Sequence, residues 1–437
     1  MKPLRGSIVA AIALIVAITG LSAPAHGIPA ANAVTEWNRI AVGTLVAIPG
    51  PAGGAPPASQ VNLGMVQGAV FDAVNAIQPR GFTPYLLTRR FSAAASEDAA
   101  VATAAYLVLT DIVSTVPAAI PFPNRASLLA SLDAAYGSAL GSIPDGASKK
   151  QGIRAGTAAA DAMIAARAGD GRFGPSQWVP NRDPGHWWPL TAPDGTPILD
   201  PTPWVGGVEP FLMTSSSQFR TAGPNALLSA AWAADFNEVK AVGAVNSAVR
   251  TPEQTHIAIF WQSTPVATWN TVARTILEDR GASVAESARL FAMEDLAAAD
   301  AAINCWNDKY HWDFWRPWNA IPRAAEDGNP ATDPDPTWAP LIAAPYPEHP
   351  SGHLCLDSSH LRVLSTFFGT DEIGFDVTSA QFPGEIRHFD RFSQALAEIT
   401  EARIWAGLHY RTADVQAKVL GTNVADYMFA NYFHPVG

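Results

Sequence analysis

The chain has 437 residues and a formal net charge of −11, from 28 Lys+Arg against 39 Asp+Glu. That acidity excludes nucleic acid as the main partner, so any bound anion has to be held by a local basic cluster. Hydrophobic residues make up 48% and charged residues 15%, which excludes general disorder and allows a large buried core with long ordered loops.

In chain order, Met1 to Arg5 is a short basic leader, Ile8 to Leu21 an apolar run, and Ala23-Pro24-Ala25 a small-x-small cleavage pattern. This reads as a secretory signal peptide over 1–25, so the mature protein is expected to be exported, with no later membrane span. Helices are expected at 34–49 and 58–78, where Val61, Met65, Ala69, Val70 and Val74 fall at helical spacing. Further helices follow from Glu97 to Val116, Asn124 to Leu140 and Lys149 to Arg167. Residues 168–225 carry Trp178, Trp187, Trp188 and Trp204 among many prolines and glycines. So many large aromatics predict an ordered loop region rather than a linker.

Helices return from 226. Thr251-Pro-Glu-Gln254 is a capping box with proline at the first helical position, and Ser283-x-x-Glu286 opens a long Ala-rich helix reaching about Tyr310. A Pro-rich loop spans 327–350, and helices near 352–367, 389–406 and 413–431 complete the chain. No strand-type alternation and no fixed repeat is evident. The expected class is all-α, with packed helical bundles and long ordered loops. The expected division is 26–225, an N-terminal helical part with the Trp/Pro-rich loop, and 226–437, a C-terminal bundle carrying an oxyanion site.

Three segments concentrate reactive side chains. In Lys309-Tyr-His-Trp-Asp-Phe-Trp-Arg316-Pro317 the two cations are seven residues apart, two helical turns, so they are expected on one face with Trp306 one turn earlier. The bland alternative is a surface stripe in which Asp313 pairs with Lys309 and Arg316. In His349-Pro-Ser351-Gly352-His353 the serine is a good N-cap, and a helix starting there offers free amides and a positive dipole end to an anion, with His353 beside it. The alternative is an ordinary cap with an exposed histidine. Pro350 and the lack of an HExxH pattern argue against zinc on His349 and His353. In Arg403-Ile-Trp-Ala-Gly407-Leu-His409, Gly407 suits a helix C-terminus and leaves His409 free to aim. Cys305 and Cys355 read either as two buried small side chains or as a disulfide. Together the segments give three cations, an amide nest with a hydroxyl, and two histidines, the donor set a tetrahedral oxyanion needs.

The order K-x6-R-P, P-S-G-H, R-x5-H over Lys309 to His409 resembles the signature of the type-2 phosphatidic acid phosphatase and vanadium-dependent haloperoxidase superfamily. The aromatic filling around Trp312 to Trp315, Trp37-Asn38, and Ala69 to Asn75 are similar to its secreted haloperoxidase branch. The resemblance implies a vanadium chloroperoxidase-like helical fold, and vanadate as cofactor, with phosphate able to take the same site. It implies His409 as the metal ligand, and Lys309, Arg316, Ser351, Gly352 and Arg403 as donors to the oxyanion. His353 would be the acid–base group, and Trp306 and Tyr346 candidates for the halide pocket. The partners would be hydrogen peroxide and halide, giving a hypohalous-acid equivalent. As an alternative, a secreted acid phosphatase on the same frame would attack a phosphate ester through His409, forming phosphohistidine. A third reading is a non-catalytic oxyanion-binding protein. Two departures stand out. Where the family often has Asp, four residues after the last histidine, this chain has Ala413 followed by Asp414. Tyr346 stands where chloride-oxidising relatives tend to carry Phe and bromide-oxidising ones His.

Overall fold

A computed structural model describes residues 31–436 except 79, 80 and 177; the leader over 1–25 lies outside the described residues. The elements are α1 (Ala33–Ala47), α2 (Pro56–Asn75), α3 (Glu97–Thr115), α4 (Arg125–Gly141), α5 (Ala147–Ala166), α6 (Ala230–Val242), α7 (Pro252–Phe260), α8 (Pro265–Asp279), α9 (Val284–Trp312), α10 (Pro317–Ala320), α11 (Gly352–Phe368), β1 (Phe375–Ser379), β2 (Phe382–Phe389), α12 (Phe392–Trp405) and α13 (Arg411–Asn431). The expected all-α class is what the chain adopts, and the exception is one small antiparallel hairpin, β1–β2. Its inward residues Phe375, Val377 and Ser379 alternate over only five positions, too short a period-2 run to stand out in sequence. The hairpin is held by aromatic packing of Phe375 against Phe389, Phe392 and Trp269.

The core is built on α2 and α9, which are buried on almost every side and pack against each other. Close approach is possible because Gly64 and Gly68 face α9. A Cβ on Gly64 would lie 3.1 Å from the Ala299 Cβ and 3.2 Å from the Asp295 carbonyl. Asp295 and Glu294, fully buried in this seam, are enclosed by Gln60, Asn270 and His360 through hydrogen bonds of 3.0–3.1 Å. Such buried polar groups are tolerated because they are bonded to one another. α3 is long and apolar enough to cross a membrane by composition, yet most of it is buried, against α1, α2, α4 and α5.

Of the two expected capping boxes one forms completely and the other by half. Thr251 and Gln254 bond reciprocally at the start of α7, and Ser283 accepts from the Glu286 amide at the start of α9. The Trp/Pro-rich region 168–225 is tied down by specific contacts: the Trp187 amide donates to the Asp313 carbonyl at 2.8 Å, and the Trp178 indole to the Asp313 carboxylate at 2.8 Å. A second aromatic cluster, including Trp232, Phe236, Phe314, Trp315 and Tyr410, packs where the 313–315 turn meets the C-terminal helices. The turn and the starts of α11 and α13 thereby converge on one side of α9.

Candidate functional site

The expectation that Lys309 and Arg316 share a helix face is not met. α9 ends at Trp312, and Asp313 follows with φ 48°, a left-handed conformation that stops the helix three residues before Arg316. Arg316 is instead the N-cap residue of α10, reached through an extended backbone. The two cations still converge, because the turn folds back over the end of α9. Nor does Asp313 pair with either of them; it bonds Trp178 and His186. The surface-stripe reading fails with it, since Lys309 and Arg316 are both fully buried.

Lys309 Nζ donates to three backbone carbonyls, those of Pro347 and Glu348 at 3.1 Å and that of Pro350. Arg316 donates through Nε to the Tyr346 carbonyl at 2.9 Å, and through Nη1 to the Leu408 carbonyl at 2.7 Å and to His409 Nε2 at 3.2 Å. Arg403 donates through Nη1 to the Trp261 carbonyl at 3.0 Å. None of the three cations has a carboxylate within 4 Å among the described residues. Burial lowers Lys309 to about 8 and Arg316 to about 10, and also lowers Arg403, so all three stay protonated at neutral pH. Several kcal/mol per buried, unpaired ion is the order of the cost, and an anion placed among them removes it.

Polar atoms of the same group of residues are left without partners. Buried Arg316 Nη2, Arg403 Nε, Ser351 Oγ and His353 Nε2 have no hydrogen-bond partner among the described residues. Ser351 sits at the N-cap position of α11 as expected, but its hydroxyl does not cap the helix. The first turn of α11 therefore offers amides at the positive end of a seventeen-residue helix, with the Ser351 hydroxyl beside them next to Asp414. Gly352 suits a crowded position: a Cβ there would lie 3.1 Å from the Trp306 ring, which would have to give by a few tenths of an ångström, and 3.7 Å from Lys309 Cε.

His409 follows Gly407, which takes φ 71° just beyond α12 as its position predicted. The His409 ring is held by Glu348, a residue whose segment was noted in the sequence without a role for this side chain. Glu348 Oε1 accepts from His409 Nδ1 at 2.8 Å and from the Tyr410 amide at 3.0 Å. Two donors on one oxygen fix the proton on Nδ1 and leave Nε2 as the lone-pair atom facing the cations. Burial and the charges of Arg316, Lys309 and Arg403 hold His409 well below the usual histidine range, so it is neutral. Burial, followed by Arg403, does the same to His353. Burial pushes Glu348 up to about 8, against the pull of Arg316 and Lys309.

Asp414, the carboxylate that follows Ala413, makes no hydrogen bond to His409; it lies against the Ser351 hydroxyl, and burial raises it to about 7. His349 lies apart from the anion donors, bonded through Nε2 to the Thr221 hydroxyl at 3.0 Å. Tyr346 and Trp306 pack at 5.1 Å between ring centroids, with Lys309 Nζ and Arg316 Cζ each 5.2 Å from the Tyr346 ring. A cavity of only about 10 Å³ is bounded by Trp306, Tyr346, Gly352, His353 and the prolines at 57 and 265. Cys305 and Cys355 are both buried and unbridged, with burial and the neighbouring Cys305 raising the Cys355 thiol.

Residues 289–436 match the sequence model of the VCPO second helical-bundle domain, the stretch that contains every donor described above. Over that stretch, about a third of its length, the chain resembles the vanadium haloperoxidases. A vanadium chloroperoxidase from Curvularia inaequalis is 25% identical over 279 residues, 48% of this chain and 45% of that relative, so the match spans less than half of the relative's length. The crystal structure of a bacterial vanadium-dependent iodoperoxidase superposes with a TM-score of 0.74 at 22% identity, covering 92% of this chain and 97% of the other. That of a holo-type bacterial vanadium-dependent chloroperoxidase gives 0.68 at 17% identity, covering 87% and 92%. At these identities the structural likeness carries the fold, and the reaction has to be argued from the site.

Proposed function

We propose that this protein is an exported vanadium-dependent haloperoxidase, with vanadate held by Lys309, Arg316, Ser351, Gly352 and Arg403 and ligated by His409. The observation that carries the reading is the group of three buried cations without a carboxylate partner, gathered around a neutral histidine whose Nδ1 proton is pinned by Glu348. The donor set fits an oxyanion: the planar guanidinium atoms Arg316 Nη2 and Arg403 Nε are free to fork onto oxygens, and Ser351 Oγ and the α11 amides supply further donors. Bound vanadate supplies a Lewis-acid centre that activates hydrogen peroxide toward halide without a change of its own oxidation state.

The chain's residues do the rest. Glu348 keeps His409 in the tautomer that presents Nε2. His353, neutral and with an unpartnered Nε2, accepts a proton from incoming peroxide and returns it to the departing oxygen. Trp306, Tyr346 and the prolines beside them wall the cavity next to His353 with apolar surface. The size of that cavity, about 10 Å³, favours small reactants such as peroxide and halide, since it holds about one water molecule.

Glu348 also meets a requirement of the second reading, an acid phosphatase in which His409 attacks a phosphate ester, because a carboxylate behind His409 is what such a nucleophile needs. The small cavity counts against it, as it leaves little room for an alcohol leaving group. Two parallel assays with and without orthovanadate separate the readings: bromination of monochlorodimedone by peroxide and bromide, and hydrolysis of p-nitrophenyl phosphate at acid pH. Vanadate-dependent bromination is the expected result. Ester hydrolysis inhibited by vanadate, with no halide oxidation, would overturn the proposal in favour of the phosphatase.

A further inference from the structure

We propose that the cleft sharing the Trp306 ring with the oxyanion site binds an uncharged, electron-rich aromatic ring, the organic acceptor of the halogen. The proposal rests on the haloperoxidase reading and names the substrate class for that site. The cleft has a volume of about 330 Å³, the lower end of the range for small-molecule sites, enough for one or two fused rings. Its walls are the indoles of Trp178, Trp204 and Trp306 and the phenol of Tyr310, over a strip of backbone at Gly206 and Gly207.

The polar tips of three of these four rings, Trp306, Tyr310 and Trp178, are already engaged. Trp306 Nε1 and Tyr310 Oη both donate to Asp200 Oδ2, at 2.9 and 2.7 Å, and Trp178 Nε1 donates to Asp313 at 2.8 Å. What the walls have left to offer is apolar ring surface, which favours an aromatic guest in stacked or edge-on geometry. Close packing builds the floor: a Cβ on Gly206 would lie 2.6 Å from the Asn307 amide nitrogen, so this strip lies directly on α9, whereas nothing is within 4 Å of a Cβ on Gly207. Among the described residues no charged side chain lines the cleft. An anionic or cationic guest would leave its charge unpaired there, so the guest is neutral.

Trp306 is the shared wall. It borders this cleft and also the small cavity at Gly352 and His353. Halide is oxidised by peroxide at the oxyanion site, H2O2 + X⁻ + H⁺ giving HOX + H2O. The halogen–oxygen bond of HOX then breaks as a ring carbon–halogen bond forms. Its electron pair leaves on hydroxide, which takes the ring proton as water, ArH + HOX giving ArX + H2O. Peroxide is the only oxidant and is reduced to water.

Binding can be read without turnover. Isothermal titration calorimetry with 2-naphthol at pH 7 uses the full protein without vanadate, with inorganic phosphate in every cell to fill the oxyanion site. A parallel arm uses 2-naphthalenesulfonate, the same ring with a charge. The expected result is saturable 2-naphthol binding, at least 10-fold weaker for the sulfonate. Gly207→Leu, which fills the floor, and Ser176→Trp, which fills the rim, should each weaken 2-naphthol binding at least 10-fold, with circular dichroism verifying their fold. No 2-naphthol binding, equal binding of the sulfonate, or unchanged affinity in both folded variants overturns the proposal. A failure to oxidise any halide in the separate activity assay would sink the haloperoxidase reading without altering these affinities.

Discussion

Glu348 offers the sharpest test of the site. Its Oε1 is the acceptor for both His409 Nδ1, at 2.8 Å, and the Tyr410 amide, at 3.0 Å. Glu348→Ala leaves two buried donors without an acceptor, each costing about 1–3 kcal/mol. Part of that cost falls on the anion-free and anion-bound states alike and cancels in an affinity. What remains is the loss of the tautomer and ring orientation of His409, and outer partners of this kind are typically worth about 10–100-fold in affinity, or about 1.4–2.7 kcal/mol. Orthovanadate affinity, by equilibrium dialysis or vanadium-51 NMR, is therefore expected to fall about 10–100-fold in Glu348→Ala. Glu348→Gln keeps an oxygen acceptor in the same place and should lose less. Asp414→Asn should lose less than Glu348→Ala, since the carboxylate bonded to His409 is that of Glu348 and not that of Asp414. A folded Glu348→Ala protein that binds vanadate as wild type does, or an Asp414→Asn loss exceeding that of Glu348→Ala, would refute the assignment of Glu348 as the residue that positions His409.

Three further outcomes are expected. His353→Ala should lower the halide oxidation rate by about 10²–10⁴-fold, the usual worth of a positioned acid–base group, while vanadate affinity stays within about 3-fold of wild type; a parallel collapse of binding would show His353 to be a holder of the anion instead. Gly352→Ala should weaken vanadate binding about 10-fold or more, because its Cβ would press on the Trp306 ring at 3.1 Å, and unchanged affinity would mean that the α11 amides do not contact the anion. The vanadate-free protein should lose thermal stability as pH rises from 6.5 to 8. Asp295, Asp357 and Asp414 are raised by burial to about 7 and Glu348 to about 8, so across this window the folded state holds protons the unfolded state has released; these four groups outweigh Lys309, lowered by burial to about 8, which acts in the opposite sense toward the top of the window. Below 6.5 the sign is mixed, because His349 and His360, depressed by burial to about 3 and 4, contribute stability that is lost as pH falls. Scanning calorimetry that showed the melting temperature rising between pH 6.5 and 8 would contradict these shifts.

The site was legible where the chemistry is local and illegible where the chain folds back. Ser351, Gly352 and Gly407 could be placed from the sequence because caps and left-handed turns depend on a few adjacent residues, and all three occupy those positions. Lys309 and Arg316 were paired through the wrong geometry. The spacing of seven suggested a shared helical face, but Asp313 takes a left-handed conformation and bonds Trp178 and His186, more than a hundred residues away in the chain. The sequence around Asp313 carries no glycine to announce that stop; the Trp/Pro-rich region supplies it. Glu348 was missed for a similar reason. It lies 61 residues before His409, and its own segment reads as a proline-rich loop. Its amide bonds the Phe314 carbonyl at 2.9 Å, and Lys309 Nζ holds the carbonyls of Pro347, Glu348 and Pro350. One buried cation thus shapes the loop that carries the carboxylate, and the carboxylate aims the histidine. Replacing Lys309 with a neutral residue should accordingly disturb His409 as well as remove a charge, so its effect and that of Glu348→Ala should combine less than additively in a double-mutant cycle on vanadate affinity. Strict additivity would separate the two and show that Lys309 acts on the anion alone.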